Sequence, residues 1–336
     1  MTRVLSPASR DRILVTGGAG FLGRSLVQAL LDQTASDIVV LALPNERVPA
    51  DWPARVVVQR GDITDARSVD EAVRGCAWVY HLAAMVGDAG LDELHQRVTV
   101  GGTALVLEAA RRHGAAVILV TSICAYGDAI QRGPCPEDTP QGLAQGPYGR
   151  AKQGQEALAR QFQAAGGQVC VVRPANIIGA GSGPWLDDVA RALRQGLPAM
   201  IAGGRGNAAL AGVDNVADFL VHVACQPAAW GQAFHVHDGL AITWRQYFED
   251  LARMLKTRPP RSLPRPLAYG AARLTEPLFK RLAPRSRPPV TLEALNLIAW
   301  DSQFPLDKAR SLGWRPRVSY ATLLARIQAD IDARGL

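Results

Sequence analysis

T-G-G-A-G-F-L-G, residues 16–23, is the stretch that decides the fold of this chain. An apolar run, Ile13-Leu14-Val15, precedes it, and an amphipathic segment, residues 25–31, follows. The order is strand, glycine turn, helix. Gly18-x-Gly20-x-x-Gly23 fits the dinucleotide fingerprint, and Gly17-x-x-Gly20-x-x-Gly23 fits it in a second register. A tight turn needs one glycine, close approach of a pyrophosphate needs another, and helix-on-strand packing needs a third. The helix start then offers free N–H groups and a partial positive charge to phosphate. A glycine turn can precede any helix, so the flanking strand and helix carry the inference.

Apolar runs recur at residues 38–43, 55–59, 77–82, 117–121 and 169–173, and each reads as a strand. Helical patterns separate them, a short one at 69–74 and long ones at 98–113 and 148–165. Strands that are apolar throughout and alternate with helices mean a parallel sheet covered on both faces. The predicted fold is α/β, a doubly wound parallel sheet of the Rossmann type, with ligands at the carboxyl ends of its strands. Residues 1–175 would form the dinucleotide-binding domain. From about Ala175 glycine and proline rise, and residues 176–336 read as a smaller, interleaved substrate-binding part. Helices are predicted there at 186–195, from 213, at 244–255, 306–310 and 320–331, with a late strand at 234–237 that returns to the sheet.

The 336 residues can bury a large core. No apolar run is long enough to span a membrane, and the N-terminal residues lack the apolar core of a signal peptide. Five scattered cysteines without a C-x-x-C point to reduced thiols and a cytoplasmic location, with Cys76 and Cys170 in the core. His235 and His237 would share one face of a strand, but no third ligand lies near in sequence, so no metal is expected. The net charge of +7 is concentrated in one stretch. Lys256, Arg258, Arg261, Arg265, Arg273, Lys280, Arg281, Arg285 and Arg287 are opposed there only by Glu276. Prolines 259, 260, 264, 266, 277, 284, 288 and 289 argue against one long helix, leaving a short one at 267–274. Tyr269 and Phe279 are too sparse for a nucleic-acid surface. A solvated lid or linker is the preferred reading, and peripheral contact with a membrane surface is the second.

The chemistry starts from Tyr148-Gly-Arg-Ala-Lys152. On a helix these positions share a face, so an ammonium can sit beside a phenol. A phenol is a poor base at neutral pH, and a nearby lysine charge would lower its pKa. Tyr148 could then accept or donate a proton, while Ser122, in T-S-I-C-A-Y-G, could hydrogen-bond a substrate oxygen.

In combination the motifs resemble the extended short-chain dehydrogenase/reductases, the NAD-dependent epimerase/dehydratase superfamily. They are T-G-G-A-G-F-L-G, G-D-I-T-D at 61–65, H-L-A-A at 81–84, T-S-I-C-A-Y-G at 121–127, Y-G-R-A-K and R-P-A-N-I-I-G at 173–179. The resemblance covers nearly the whole chain. It implies an NAD(P)-dependent oxidoreductase with Ser122, Tyr148 and Lys152 as the catalytic set. It implies that Gly17, Gly20, Phe21, Leu22 and Gly23 hold the pyrophosphate side, Asp62 and Ile63 the adenine, and Leu82, Ala83 and Ala84 the cofactor's flank. Tyr148 and Lys152 would reach the nicotinamide ribose, and Pro174 and Ile177 the nicotinamide side. Two departures stand out. Thr99 occupies the place of a usual Asn in the family's proton relay, and its hydroxyl can still hydrogen-bond a water. The second strand ends in Leu41-Ala42-Leu43, with no carboxylate for a ribose diol, and Arg47 could pair a 2′-phosphate, so NADP is favoured over NAD.

Within the family, 4,6-dehydratases carry an acidic pair directly after the active-site Ser/Thr, where this chain has Ile123 and Cys124. The later motifs resemble the 3β-hydroxysteroid dehydrogenase branch. They include G-Q-A-F-H-V-H-D-G at 231–239, R-P-P-V-T-L at 287–292 and F-P-L-D-K-A-R-S-L-G-W at 304–314. That branch acts on secondary alcohols or ketones of bulky apolar small-molecule substrates, sterol-like or 3-oxo/3-hydroxy acid-like. Met85, Cys124, Asn176 and Trp185 are the candidate substrate residues. A nucleotide-sugar epimerase with retained NAD is the alternative, and a non-catalytic dinucleotide-binding protein a lesser one. A homodimer is the family habit.

Overall fold

Parity along each strand explains how the sheet is covered. On β1 (Arg12–Thr16), Ile13 and Val15 enter one apolar core, and Leu14 enters another on the opposite face. β2 (Asp37–Ala42) repeats the division, with Ile38, Val40 and Ala42 on the first face and Val39 and Leu41 on the second. β3 (Val56–Arg60), β4 (Trp78–His81), β5 (Ala116–Val120) and β6 (Val169–Pro174) follow. After the short strands β7 (Asn176–Ile178), β8 (Pro198–Ile201) and β9 (Leu210–Gly212), the chain returns with β10 (Ala233–Val236). The result is a seven-stranded sheet of order β3-β2-β1-β4-β5-β6-β10, in which every pairing is parallel. The structure is a computed structural model and describes residues 2–6, 8–87, 91–282 and 290–336.

Helices α1 (Phe21–Gln33), α2 (Ala66–Val73), α3 (Asp92–His95), α4 (Gly102–His113) and α5 (Pro147–Ala164) connect the first six strands. α2, α4 and α5 cover one face, and α1 the other. After α6 (Asp188–Arg194), helix α7 (Val213–Ala224) joins α1 on the face of Ile13 and Val15, so the later half of the chain supplies both a strand and a covering helix to the sheet. The remaining elements are α8 (Trp244–Met254), β11 (Arg261–Leu263), α9 (Arg265–Leu282), α10 (Leu292–Ile298), α11 (Asp307–Ser311) and α12 (Tyr320–Arg334). A separate core unites α6, α8 and α12 through Val189, Leu193, Trp244, Tyr247, Leu251, Leu323 and Ile327. β8 pairs with β11 and β7 with β9.

Three local readings are corrected. The helix expected from residue 98 opens as a π turn, Gln96–Gly101, before α4 begins, and the helix expected from residue 186 opens as another, Gly183–Asp187. Much of the basic segment is one long packed helix, in place of the short helix expected at 267–274. α9 runs 18 residues, with Ala268 and Ala272 fully buried against Leu295 and Ala299. Pro266 lies in its first turn, where no N–H is needed. Pro277 removes one bond in mid-helix, on the exposed face where water can serve the freed carbonyl of Arg273. Pro284, Arg285, Arg287, Pro288 and Pro289 lie outside the described residues. No described helix is long and apolar enough to cross a membrane.

Candidate active site

The glycine loop is built for close approach. Gly17 has φ +70°, and a Cβ there would lie 2.9 Å from the Ala83 nitrogen. A Cβ on Gly23 would lie 2.1 Å from the Gly17 carbonyl, so only glycine lets α1 start against the turn. Gly20 is an extended N-cap without a side-chain cap bond, and the first turn of α1 holds no acidic residue. Its N–H groups are therefore left to an anion. They open on a cleft of about 410 Å³ lined by Gly20, Phe21, Arg24, Gly179, Gly181 and Arg326. Such a cradle fits a dinucleotide pyrophosphate.

Leu82, Ala83 and Ala84 continue from β4 beside this loop, and the Ala83 N–H donates to Thr16 Oγ1 (3.2 Å). At the far end Ala42 closes β2, buried, and Arg47 stands exposed on the next loop. Arg60, which the sequence reading passed over, grips that loop by donating to the carbonyls of Leu43 (2.9 Å) and Glu46 (2.7 Å). Asp62 shapes its turn by accepting from the Thr64 N–H (2.8 Å), and Ile63 is buried against Gly102. Asp65, in the same motif, caps α2 by accepting from the N–H groups of Arg67 and Ser68.

Ser122 follows β5 at the carboxyl edge of the sheet and caps the 3-10 segment Ile123–Arg132, its Oγ accepting from the Cys124 N–H (3.1 Å). Tyr148 and Lys152 stand one turn apart on α5, with Lys152 Nζ 5.4 Å from the centre of the Tyr148 ring. The structure thus brings the three residues together at the carboxyl edge of the sheet. The phenol differs from the sequence expectation. Burial drives its pKa well above the ordinary tyrosine value, and a hydrogen bond with Ser122 opposes the rise without cancelling it. Burial also lowers Lys152 to about 8, against the attraction of Cys124 and Glu156. Tyr148 is therefore a protonated donor at neutral pH, and Lys152 a cation that gives up its proton easily.

A chain of hydrogen bonds fixes that lysine. Nζ donates to Gln155 Oε1 (2.8 Å) and to the Val120 carbonyl (3.3 Å). Gln155 Nε2 donates to Thr103 Oγ1 (2.7 Å), which donates its own proton to the Thr99 carbonyl (2.6 Å). Thr103 must then accept from His81 Nε2 (2.9 Å), which assigns the Nε2–H tautomer and leaves Nδ1 to accept from the Thr16 hydroxyl (2.7 Å). Burial holds His81 near 3, so the ring is neutral. Thr99 itself is fully buried, and its Oγ1 accepts from the Met85 N–H (3.0 Å). Gln155, at i+3 from Lys152, is the member of this chain that helical spacing could have revealed.

Two further supports come from afar. The Glu293 carboxylate accepts from the Gly149 N–H (2.6 Å), capping α5 beside Tyr148. A Cβ on Gly146, the N-cap of that helix, would lie 2.2 Å from Glu293 Oε2. On the other side of α5, Arg173 and Glu156 form a buried two-pronged ion pair (2.8 and 2.7 Å). Arg173 also donates to Tyr126 Oη (2.7 Å), which bonds His235 Nε2 (2.6 Å). His235 and His237 are thus held by Tyr126 and the carbonyls of Pro305 and Phe304. All five cysteines are free thiols.

Cys124 is buried beside Ser122, and Met85 lies half-buried over Thr99. Pro174 ends β6, and Ile177 is half-buried in β7. The Asn176 amide donates to the Ala208 carbonyl (2.7 Å), and Trp185 packs on Trp244 with ring centres 4.7 Å apart.

The profile of the NAD dependent epimerase/dehydratase family matches residues 13–236. The 2-alkyl-3-oxoalkanoate reductase of Stenotrophomonas maltophilia is 29% identical over 332 residues, covering 96% of this chain and 100% of that protein. The 3 beta-hydroxysteroid dehydrogenase/Delta 5-->4-isomerase of Mycobacterium tuberculosis is 28% identical, covering 91% and 86%. Among solved structures, a dTDP-glucose 4,6-dehydratase of Streptomyces venezuelae with NAD bound superposes with a TM-score of 0.76 at 25% identity, over 96% and 98% of the two chains.

Proposed function

The chain belongs to the NAD dependent epimerase/dehydratase family, as an enzyme of the extended short-chain dehydrogenase/reductase type, and on that footing we propose that it interconverts a ketone and a secondary alcohol on a bulky apolar substrate. The observation that carries this reading is the cluster in which Ser122 bonds Tyr148 while Lys152 stands one turn away. Bound in the glycine cradle, a nicotinamide dinucleotide supplies the hydride chemistry. Ser122 donates toward the reacting oxygen and orients it, and Tyr148 moves the proton at that oxygen. A phenol held protonated suits the reductive direction, in which it acts as the acid. Lys152, anchored by Gln155, binds the ribose side and offsets charge as the phenolate forms.

The similarity to a reductase of 3-oxoalkanoates and to a sterol dehydrogenase supports an apolar ketone over a sugar nucleotide. So does the absence of a carboxylate directly after Ser122, where the buried Ile123 and Cys124 stand. Exposed Arg47, with Arg60 beneath its loop, supports NADP at the 2′-position. The test is oxidation of NADPH or NADH with a panel of long-chain and polycyclic ketones, wild type against Tyr148→Phe. Ketone-dependent turnover that Tyr148→Phe abolishes is the expected result. Equal turnover by the two proteins removes Tyr148 from the reaction. Interconversion of a UDP- or GDP-sugar without net cofactor consumption would replace the reading with an epimerase.

A further inference from the structure

The outer face of α9 is apolar where a surface helix should be polar. Leu267, Leu274, Leu278 and Leu282 are 64%, 78%, 53% and 72% exposed. They follow helical spacing and share the exposed face with Pro266, Gly270 and Pro277. Among the described residues, the charged ones on that face are Arg273 and Arg281, and exposed Lys256, Arg258 and Arg261 precede the helix. The helix's one carboxylate, Glu276, is buried on the opposite side, where it accepts from the Leu292 N–H at the start of α10 (3.1 Å). Among the described residues the charged side chains flanking this leucine stripe on α9 are cations, the pattern of a helix lying in a membrane interface.

We propose that α9 docks this protein on an anionic lipid bilayer surface, with the four leucines entering the headgroup region and the arginines and lysine meeting lipid phosphates. Charge selects this occupant. A second copy would bring the same cationic face and repel it, whereas an anionic bilayer attracts each basic residue. The docked helix lies close to the chemistry. Glu276 ties α9 to the start of α10, and the next α10 residue, Glu293, caps the helix that carries Tyr148. Delivery of a bilayer-dissolved substrate to that cluster rests on the proposed function; the docking does not.

The experiment is flotation of the purified full chain with vesicles of phosphatidylcholine, with or without roughly a quarter phosphatidylglycerol. Wild type is expected to float with the anionic vesicles and to be released by salt. Leu274→Gln with Leu278→Gln should weaken binding at least about tenfold. Arg273→Gln and Arg281→Gln should each weaken it about fivefold. All four side chains are exposed, so melting temperature should hold and separate lost docking from lost folding. Three results would overturn the proposal: no wild-type flotation, equal flotation with neutral vesicles, or a leucine pair variant that binds as wild type. A dimer that the leucine substitutions dissociate would also overturn it, by assigning the face to a second copy. None of these outcomes depends on turnover.

Discussion

Replacing Lys152 with methionine removes a cation that folding has taken out of water. The lysine is buried, and its pKa falls from 10.5 to about 8, mainly through desolvation. The gap of about 2.5 units between unfolded and folded values corresponds to about 3 kcal/mol against the folded state. The sign follows from proton counting. Below about pH 8 both states hold the proton, but the unfolded chain holds it more tightly, and the full penalty applies. Between about pH 8 and 10.5 the folded protein releases the proton first, so the penalty shrinks as pH rises. Wild-type stability relative to Lys152→Met should therefore rise by about 2 kcal/mol from about pH 7 to about pH 9.5. Methionine also leaves Gln155 Oε1 and the Val120 carbonyl without their donor, a loss of about 1–3 kcal/mol that is the same at both pH values and cancels in the difference. Urea midpoints followed by far-ultraviolet circular dichroism in both proteins at both pH values measure the swing. A wild-type-minus-variant difference that stays flat within about 0.5 kcal/mol would refute the depressed lysine.

The same lysine should shape the pH–rate profile. Ketone reduction should fall as pH rises through about 8 while Tyr148 stays protonated, and Lys152→Arg should abolish that fall even at a lower plateau. Gly23→Ala places a methyl 2.1 Å from the Gly17 carbonyl, so dinucleotide affinity, read by nicotinamide fluorescence, should drop at least about tenfold; unchanged affinity would separate the cradle from the cofactor. Glu293→Ala removes the acceptor of the Gly149 N–H and should lower stability by about 1–3 kcal/mol. Glu293→Gln, which keeps an oxygen at that place, should recover most of the loss, and a glutamine variant as unstable as alanine would mean the bond contributes nothing.

The sheet was readable because parallel strands buried on both faces are apolar without interruption, and six of its strands announce themselves that way before residue 175. Ser122, Tyr148 and Lys152 were also within reach, since the last two share a helix face and the first follows a strand end. Glu293 was not. It meets Gly149 from 144 positions away, and no local pattern distinguishes a capping carboxylate from a surface one. The Lys152–Gln155–Thr103–His81–Thr16 chain joins four separate segments, so it exists only once β1, β4, α4 and α5 are assembled. Counting prolines misjudged α9, because a proline in the first turn leaves the helix intact and one on a wet face weakens it without ending it.

The cleft at the glycine loop closes with Leu323 and Arg326, about three hundred residues beyond Gly20. The strand and turn that bear the phosphate cradle leave the ribosome early, yet the wall opposite them emerges only with α12. The seventh strand, β10, also waits until residue 236 is made. During synthesis the nascent chain therefore passes through a long interval with an unpaired β6 edge and an open cradle, a state in which the edge invites β-pairing with other chains. Cofactor capture should come late in the life of each new molecule and should act as the latch that draws the two ends of the chain together.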